Sequence, residues 1–183
     1  MKSNKVPLSE IADINFQSYS AKDDWDVINY LDTSSVLKGK IFSYQKLIPG
    51  ADKIPSRARR RIKDGSILYS MVRPNQEHYA IIRNPKENVL VSTGFSVIDV
   101  DKTCILPEYL YYQLILPGVT DYFQSLAEQS VSTYPTLNVF DLKSFMVSVP
   151  DMPQQKKIVS IISSIDKKIL LNEQINDYFA ERD

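Results

Sequence analysis

The C-terminal stretch constrains this chain more than any other: from Gln154 to Asp183 it holds neither proline nor glycine. Asp151 can cap a helix there, Pro153 suits the first turn, and Gln154 stands where a capping-box partner reaches back. Beyond them Ile158, Ile162, Ile165, Ile169, Asn172, Asn176 and Phe179 recur at alternating spacings of four and three, the seam of a coiled coil. Some 30 residues rising about 1.5 Å each make a rod of about 45 Å, longer than the helices that close small domains. The helix is therefore expected to project and to take a partner helix; the alternative is that it folds back on its own domain. Asn172 and Asn176 cost stability on such a seam, but buried polar groups at these positions select register and orientation.

Residues 1–150 read as one globular domain, and residues 151–183 as the helix, serving dimerisation, spacing and partner docking. With 43% apolar residues, eleven Tyr and seven Phe over the whole chain, ten of the Tyr and six of the Phe before residue 151, the first part has the side chains for a solid core. Leu8, Ile11, Ala12 and Ile14 follow helical spacing after Pro7 and predict a short opening helix, then a polar loop from Asn15 to Trp25. Short runs rich in β-branched and aromatic residues predict strands at Ile41 to Ile48, Ile67 to Val72, Tyr79 to Arg83, Val89 to Thr93 and Phe95 to Val100. Helices are expected at Glu108 to Leu116, Thr120 to Glu128 and Asn138 to Ser144, with a last strand at Phe145 to Val149. The fold class is α/β in the α+β sense: a mixed, mostly antiparallel sheet with short helices, then a long coiled-coil-type helix.

Formal net charge is zero, so the overall footprint of a nonspecific nucleic-acid binder is missing and any such role rests on local charge. One cysteine, Cys104, and one histidine, His78, cannot build a zinc site or an internal disulfide, so no metal is expected and the setting is read as cytoplasmic. No run reads as a secretion signal or reaches the roughly 18 apolar residues that cross a bilayer, so no membrane partner is expected. Five scattered glycines form no phosphate loop, and no cofactor is expected.

Two catalytic readings are weak on these residues. His78 between Glu77 and Tyr79 is a general base in principle, but a lone histidine in a polar stretch is more often a surface residue. Asp99 and Asp101 flank Val100 and would face one side of a strand, as the carboxylates of a metal-dependent nuclease do. A strand end running into a solvated turn explains them more simply.

The sharpest local signal is Arg57-Ala58-Arg59-Arg60-Arg61-Ile62-Lys63. From Arg57 to Lys86 eight basic residues stand against Asp64 and Glu77, a local charge of +6 in a neutral protein. Guanidinium groups that neutralise phosphates supply most nonspecific DNA affinity. Reading sequence also needs side chains that reach base edges. Arg73, Asn75 and Gln76 offer these in one turn; Gln17, Ser18, Tyr19 and Ser20 form a second cluster, and Gln129, Ser130, Ser132, Thr133 and Tyr134 a third. Arg57, Arg59, Arg60, Arg61, Lys63 and Arg73 are thus the expected grip on duplex DNA, with Asn75, Gln76, Ser132, Thr133 and Tyr134 beside them. The rival reading is an interaction or scaffold protein whose basic run is a solvated face.

Three stretches in order complete the picture. They are Pro55-Ser56-Arg57-Ala58-Arg59 through Ile62-Lys63-Asp64-Gly65-Ser66-Ile67-Leu68 to Val72-Arg73-Pro74; Val91-Ser92-Thr93-Gly94-Phe95; and Tyr134-Pro135-Thr136-Leu137 followed by Val149-Pro150-Asp151-Met152-Pro153-Gln154-Gln155-Lys156-Lys157-Ile158. Together they resemble the target recognition domain, with its helix, of the specificity subunit of type I restriction-modification systems. Family members often carry an acidic residue where this chain has Ser66, and Glu-Gln where it has Gln154-Gln155. The resemblance implies a non-catalytic subunit that recognises duplex DNA while methyltransferase and restriction subunits dock on its helices. It also implies a second copy or second half across the C-terminal helix. Members usually hold two such halves and this chain reads as one, a truncated chain or a half-sized subunit that pairs with itself.

Overall fold

A computed structural model describes residues 4–20, 22–129 and 134–180. Its elements are β1 (Asn4–Pro7), β2 (Ala12–Ile14), β3 (Ile28–Leu31), β4 (Val36–Leu37), β5 (Lys40–Ile41), β6 (Gln45–Leu47), β7 (Ala58–Arg61), β8 (Ile67–Ser70), β9 (Tyr79–Ile81), β10 (Val89–Ser92), β11 (Phe95–Val100), α1 (Pro107–Leu114), α2 (Pro117–Gln129), α3 (Val139–Ser144), β12 (Met146–Val149) and α4 (Met152–Ala180). One four-stranded sheet runs β2-β11-β8-β9 and another β6-β3-β10-β7, while β1 pairs with β12 and β4 with β5. The β3–β10 pair is parallel and the other pairings are antiparallel, as a mixed, mostly antiparallel sheet requires.

Side chains alternate between the faces of a strand, and that alternation stacks the layers. On β8, Ile67 and Tyr69 join the core under the helices, whereas Leu68 joins the core between the sheets. On β11, Ile98 and Val100 point to the helical side, and Phe95 and Val97 to the second sheet. Val89 and Val91 of β10 complete the middle layer, and Leu90 faces a third cluster with Ile28 and Ala58, covered by Tyr19, Trp25 and Ile54. Strands buried on both faces carry continuous apolar runs. That is why β8, β10 and β11 were legible.

The opening segment differs from its helical spacing. Leu8–Glu10 makes a single 3-10 turn, after which Ala12 to Ile14 pair antiparallel with Val100 to Ile98. So short a helix is unstable alone, and the free edge of β11 offers these residues backbone partners that the helix does not. The long helix is packed on its own domain through its first turns and touches it at two points farther along, while from Ser164 to Phe179 its side chains are exposed except Glu173. Ile158 and Val159 pack on the main core, the Tyr112 hydroxyl donates to Asp166 at 2.6 Å, and Lys40 pairs with Glu173 at 2.6 Å. Its start is as expected, for the Asp151 carboxylate accepts the Gln154 N–H at 2.9 Å.

Burial also predicts how the fold responds to alkali. It pushes the Tyr69 and Tyr79 hydroxyls from 10.0 up to about 12. Above about 10 the unfolded chain loses protons that the folded chain keeps, so stability is intact below that pH and falls as pH rises through the window to about 12. Denaturant midpoints measured from pH 9 to pH 12 are expected to fall, and less steeply in Tyr69→Phe. An equal slope in that variant removes Tyr69 as a cause.

Candidate nucleic-acid interface

Between the ends of the two sheets lies an open polar cavity of about 580 Å³. Five distant segments build its wall: Thr33 and Ser34 before β4, Arg57 at the start of β7, Ser70 and Val72 at the end of β8, Thr93 and Gly94 in the β10–β11 turn, and Tyr134 and Thr136 before α3. Gln76 and His78, from the β8–β9 connection, close it. Hydroxyls, an amide and a guanidinium thus converge on one concavity. The close approach of two turns forms one wall, since a Cβ at Gly94 would lie 2.9 Å from Thr33 Cγ2. Only glycine fits there without a shift.

The connection from β8 to β9 is held in an uncommon backbone conformation. Arg73 and Glu77 have φ of 46° and 56°, left-handed values that side-chain-bearing residues adopt at a cost, and they bracket a 3-10 turn over Pro74–Gln76. Neighbours over-determine that turn. The Arg73 N–H donates to Pro135 O at 3.0 Å, the Asn75 N–H to Gln124 Oε1 at 3.2 Å, and the Lys38 N–H to Glu77 O at 2.9 Å. The Arg73 guanidinium sits 4.7 Å above the Tyr134 ring, an aromatic face that steers it. Among the described residues neither Arg57 nor Arg73 forms an ion pair with a carboxylate.

The arginine run, read as one basic face, is strand β7, with a bulge opposite Val91 and Ser92. Its cations therefore separate. Arg57 lines the cavity. Arg59 Nε donates to Ser56 O at 3.2 Å. Arg60 is half-buried, its Nε has no hydrogen-bond partner among the described residues, and burial lowers its pKa. Arg61 is committed within the fold: it pairs with Asp23 at 3.2 Å and lies 5.1 Å over the Trp25 ring. Lys63 is exposed and reaches Asp99 at 4.0 Å.

Gln76 lines the cavity and Asn75 is exposed beside it, whereas Ser130, Ser132 and Thr133 lie outside the described residues. The cluster at Gln17 to Ser20 runs along β7 and covers its edge, with the Tyr19 N–H donating to Arg59 O at 2.7 Å and the Arg61 N–H to Gln17 O at 3.1 Å. Sequence reasoning passed over Thr33, Ser34, Ser70, Thr93 and Thr136. The one signal pointing to them was the Ser-Thr-Gly sequence at 92–94, because hydroxyls before a glycine mark a turn where backbones meet.

The two catalytic readings meet specific geometry. Asp99 is buried and accepts the Ser66 hydroxyl at 2.6 Å, while the exposed Asp101 accepts the Thr103 N–H and hydroxyl at 2.9 and 2.7 Å. Each carboxylate has its own local partners, and among the described residues no group of three or more His, Cys, Asp or Glu is placed to hold a metal. His78 Nδ1 lies 2.5 Å from Val36 O; a carbonyl only accepts, so that nitrogen carries the proton and fixes the ring in the cavity wall. No described helix is long and apolar enough to cross a membrane.

This arrangement is a known one. A chain from a type I restriction-modification system, solved to explain complex assembly and conformational transition, superposes with a TM-score of 0.80 at 22% identity over 94% of this chain and 44% of its own length. The HsdS subunit from Thermoanaerobacter tengcongensis gives a TM-score of 0.79 at 21% identity, with the same coverage of 94% and 44%. The fold is therefore that of type I specificity subunits. The family model of the type I restriction modification DNA specificity domain matches residues 2–178, and this chain belongs to that family.

Among its relatives, the type I restriction enzyme HindI specificity subunit of Haemophilus influenzae is 37% identical over 147 residues, 80% of this chain and 32% of the relative. The putative MjaX specificity subunit of Methanocaldococcus jannaschii is 30% identical over 122 residues, 64% of this chain and 28% of the relative. The chain spans about a third of the length of these relatives.

Proposed function

We propose that this chain reads one half of a split duplex DNA target and directs partner methyltransferase and restriction subunits to it, contributing no catalytic group itself. The observation that carries this reading is the polar cavity that Arg57 and Gln76 line, with strained backbone at Arg73 and Glu77 held in place beside it, in a member of a DNA specificity family. Arginine presents a pair of donors, and glutamine a donor beside an acceptor, and these pairs distinguish base edges in the major groove. Residues 1–150 act as the reading domain. Residues 151–183 act as a spacer that pairs, through its exposed apolar side, with a second copy or a second half. Such a complex works in the cytoplasm, where the DNA is.

The reading makes the individual cations unequal. Arg73→Ala is expected to lower the log–log salt slope of duplex binding by about one ion, whereas Arg61→Ala leaves the slope unchanged because Asp23 and Trp25 already hold that guanidinium. Titrations at several salt concentrations check both. Equal slopes in the two variants remove the distinction.

Selection of bound sequences from random duplexes, with and without the methyltransferase partner, tests the function as a whole. Recovery of one short motif supports it. Binding with no sequence preference in either arm favours a scaffold protein that associates through α4, and magnesium-dependent cleavage of DNA by the purified chain overturns the non-catalytic role.

A further inference from the structure

The most deeply buried polar group at the junction of domain and helix is Gln155, which is 0% exposed. Burying a primary amide is costly unless both of its ends are bonded, and here both are. Its Oε1 accepts the Leu106 N–H at 2.9 Å, and its Nε2 donates to Cys104 O at 3.0 Å and Pro150 O at 2.9 Å. Leu106 is the residue that caps the start of α1, and Pro150 directly follows β12 on the way into α4. One side chain therefore ties the first turn of α4 to the start of α1 and to the exit of β12.

Farther along, the helix is held more lightly. Ile158 and Val159 are partly buried on the core, and beyond them Tyr112–Asp166 and Lys40–Glu173 are struts between exposed or half-buried groups. Exposed polar contacts of this kind exchange readily with water and hold direction weakly. From Gln155 to Ala180, 25 residues at about 1.5 Å give a lever of about 37 Å. A rotation of about 5° at its root moves the far end by about 3 Å, close to the ~3.4 Å spacing of successive base pairs.

From this geometry we infer that Gln155 is the positioning residue that sets the direction of α4 against the reading domain, and with it the separation between the two half-targets. The separation rests on the function proposed above; the direction does not. Gln155 touches no DNA in this scheme and acts through the helix it pins.

Two readouts on the full chain test it. Spin labels at Lys46→Cys and Gln174→Cys, in a Cys104→Ser background diluted with unlabelled chain, report the helix direction without DNA. Gln155→Leu is expected at least to double the width of the distance distribution. Gln155→Glu keeps the acceptor for Leu106 but loses both donations; it is expected to broaden the distribution too and serves if the leucine variant does not fold. Tyr112→Phe combined with Lys40→Ala removes both struts, keeps the pin, and is expected to leave the mean distance unchanged. Unchanged widths in the folded Gln155 variant, or equal broadening in the strut variant, overturn the inference. In selected duplexes, the Gln155 variants are expected to accept spacers one base pair longer and shorter with the half-motifs intact. If wild type itself recovers no split motif while the distances behave as expected, the proposed function falls and the positioning role stands; broadened distances with unchanged spacers overturn the link to half-target separation.

Discussion

Ile165→Asp together with Ile169→Asp is expected to leave the reading domain folded and to lower affinity for a duplex carrying both half-targets by about 100-fold or more. Eight large apolar side chains on the described part of α4 are exposed, Leu170, Leu171 and Tyr178 among them, and five recur along one side: Ile161 at 54%, Ile165 at 52%, Ile169 at 53%, Ile175 at 43% and Phe179 at 62%. The domain-facing side is already occupied by Gln155, Ile158 and Val159 and, farther along, by Asp166 and Glu173. On the seam that spacing predicts, Ile165, Ile169, Asn172, Asn176 and Phe179 are exposed, Ile158 and Ile162 are half-buried, and Ile161 and Ile175 are exposed alongside. Carboxylates at the centre of a paired stripe must give up hydration with no partner, which such an interface does not tolerate. Sedimentation is expected to show loss of self-association, and binding to a single half-target to stay as in wild type. Unchanged affinity for the two-part duplex removes this side of α4 as the proposed pairing surface.

Arg57→Ala is expected to erase discrimination at one base pair of the half-target, by about 10- to 100-fold, while other positions keep theirs; a bidentate base contact is worth about 1–3 kcal/mol. Arg57 is the arginine of the basic run that lines the cavity, and the Thr93 N–H donates to its backbone carbonyl at 2.9 Å, so its strand start is fixed to the β10–β11 turn. Arg57→Lys is expected to lose most of the same discrimination, because a single ammonium does not reproduce the fork. Competition among duplexes altered one position at a time checks this. A uniform loss at every position assigns Arg57 to the phosphates instead.

The Arg57 to Lys63 run marks where reading by composition stops. Five cations in seven residues predict a basic surface, yet only their strand pairing reveals that Arg61 is spoken for by Asp23 and Trp25 while Arg57 is available. The same holds for the opening segment, where Leu8, Ile11, Ala12 and Ile14 match a helix until β11 presents its edge. By contrast, Phe95–Val100 is a strand with the bounds expected of it, since its β-branched and aromatic run is bounded by turns at both ends, and Asp151 caps α4 as expected, since a cap closes within a few residues.

What the sequence by itself determined is what short-range physics decides: the capped, uninterrupted α4, the buried apolar strands, the punctuated helices before them, and the ordered motifs that mark the family. A helix closes its hydrogen bonds within four residues, so its pattern is written locally. Tertiary structure alone decided which face of α4 the domain covers, which arginines remain available, and that Thr33, Arg57, Gln76, Thr93 and Thr136 share one cavity. A sheet edge or a cavity wall takes its partners from segments tens of residues apart, and no local spacing encodes which of them will meet.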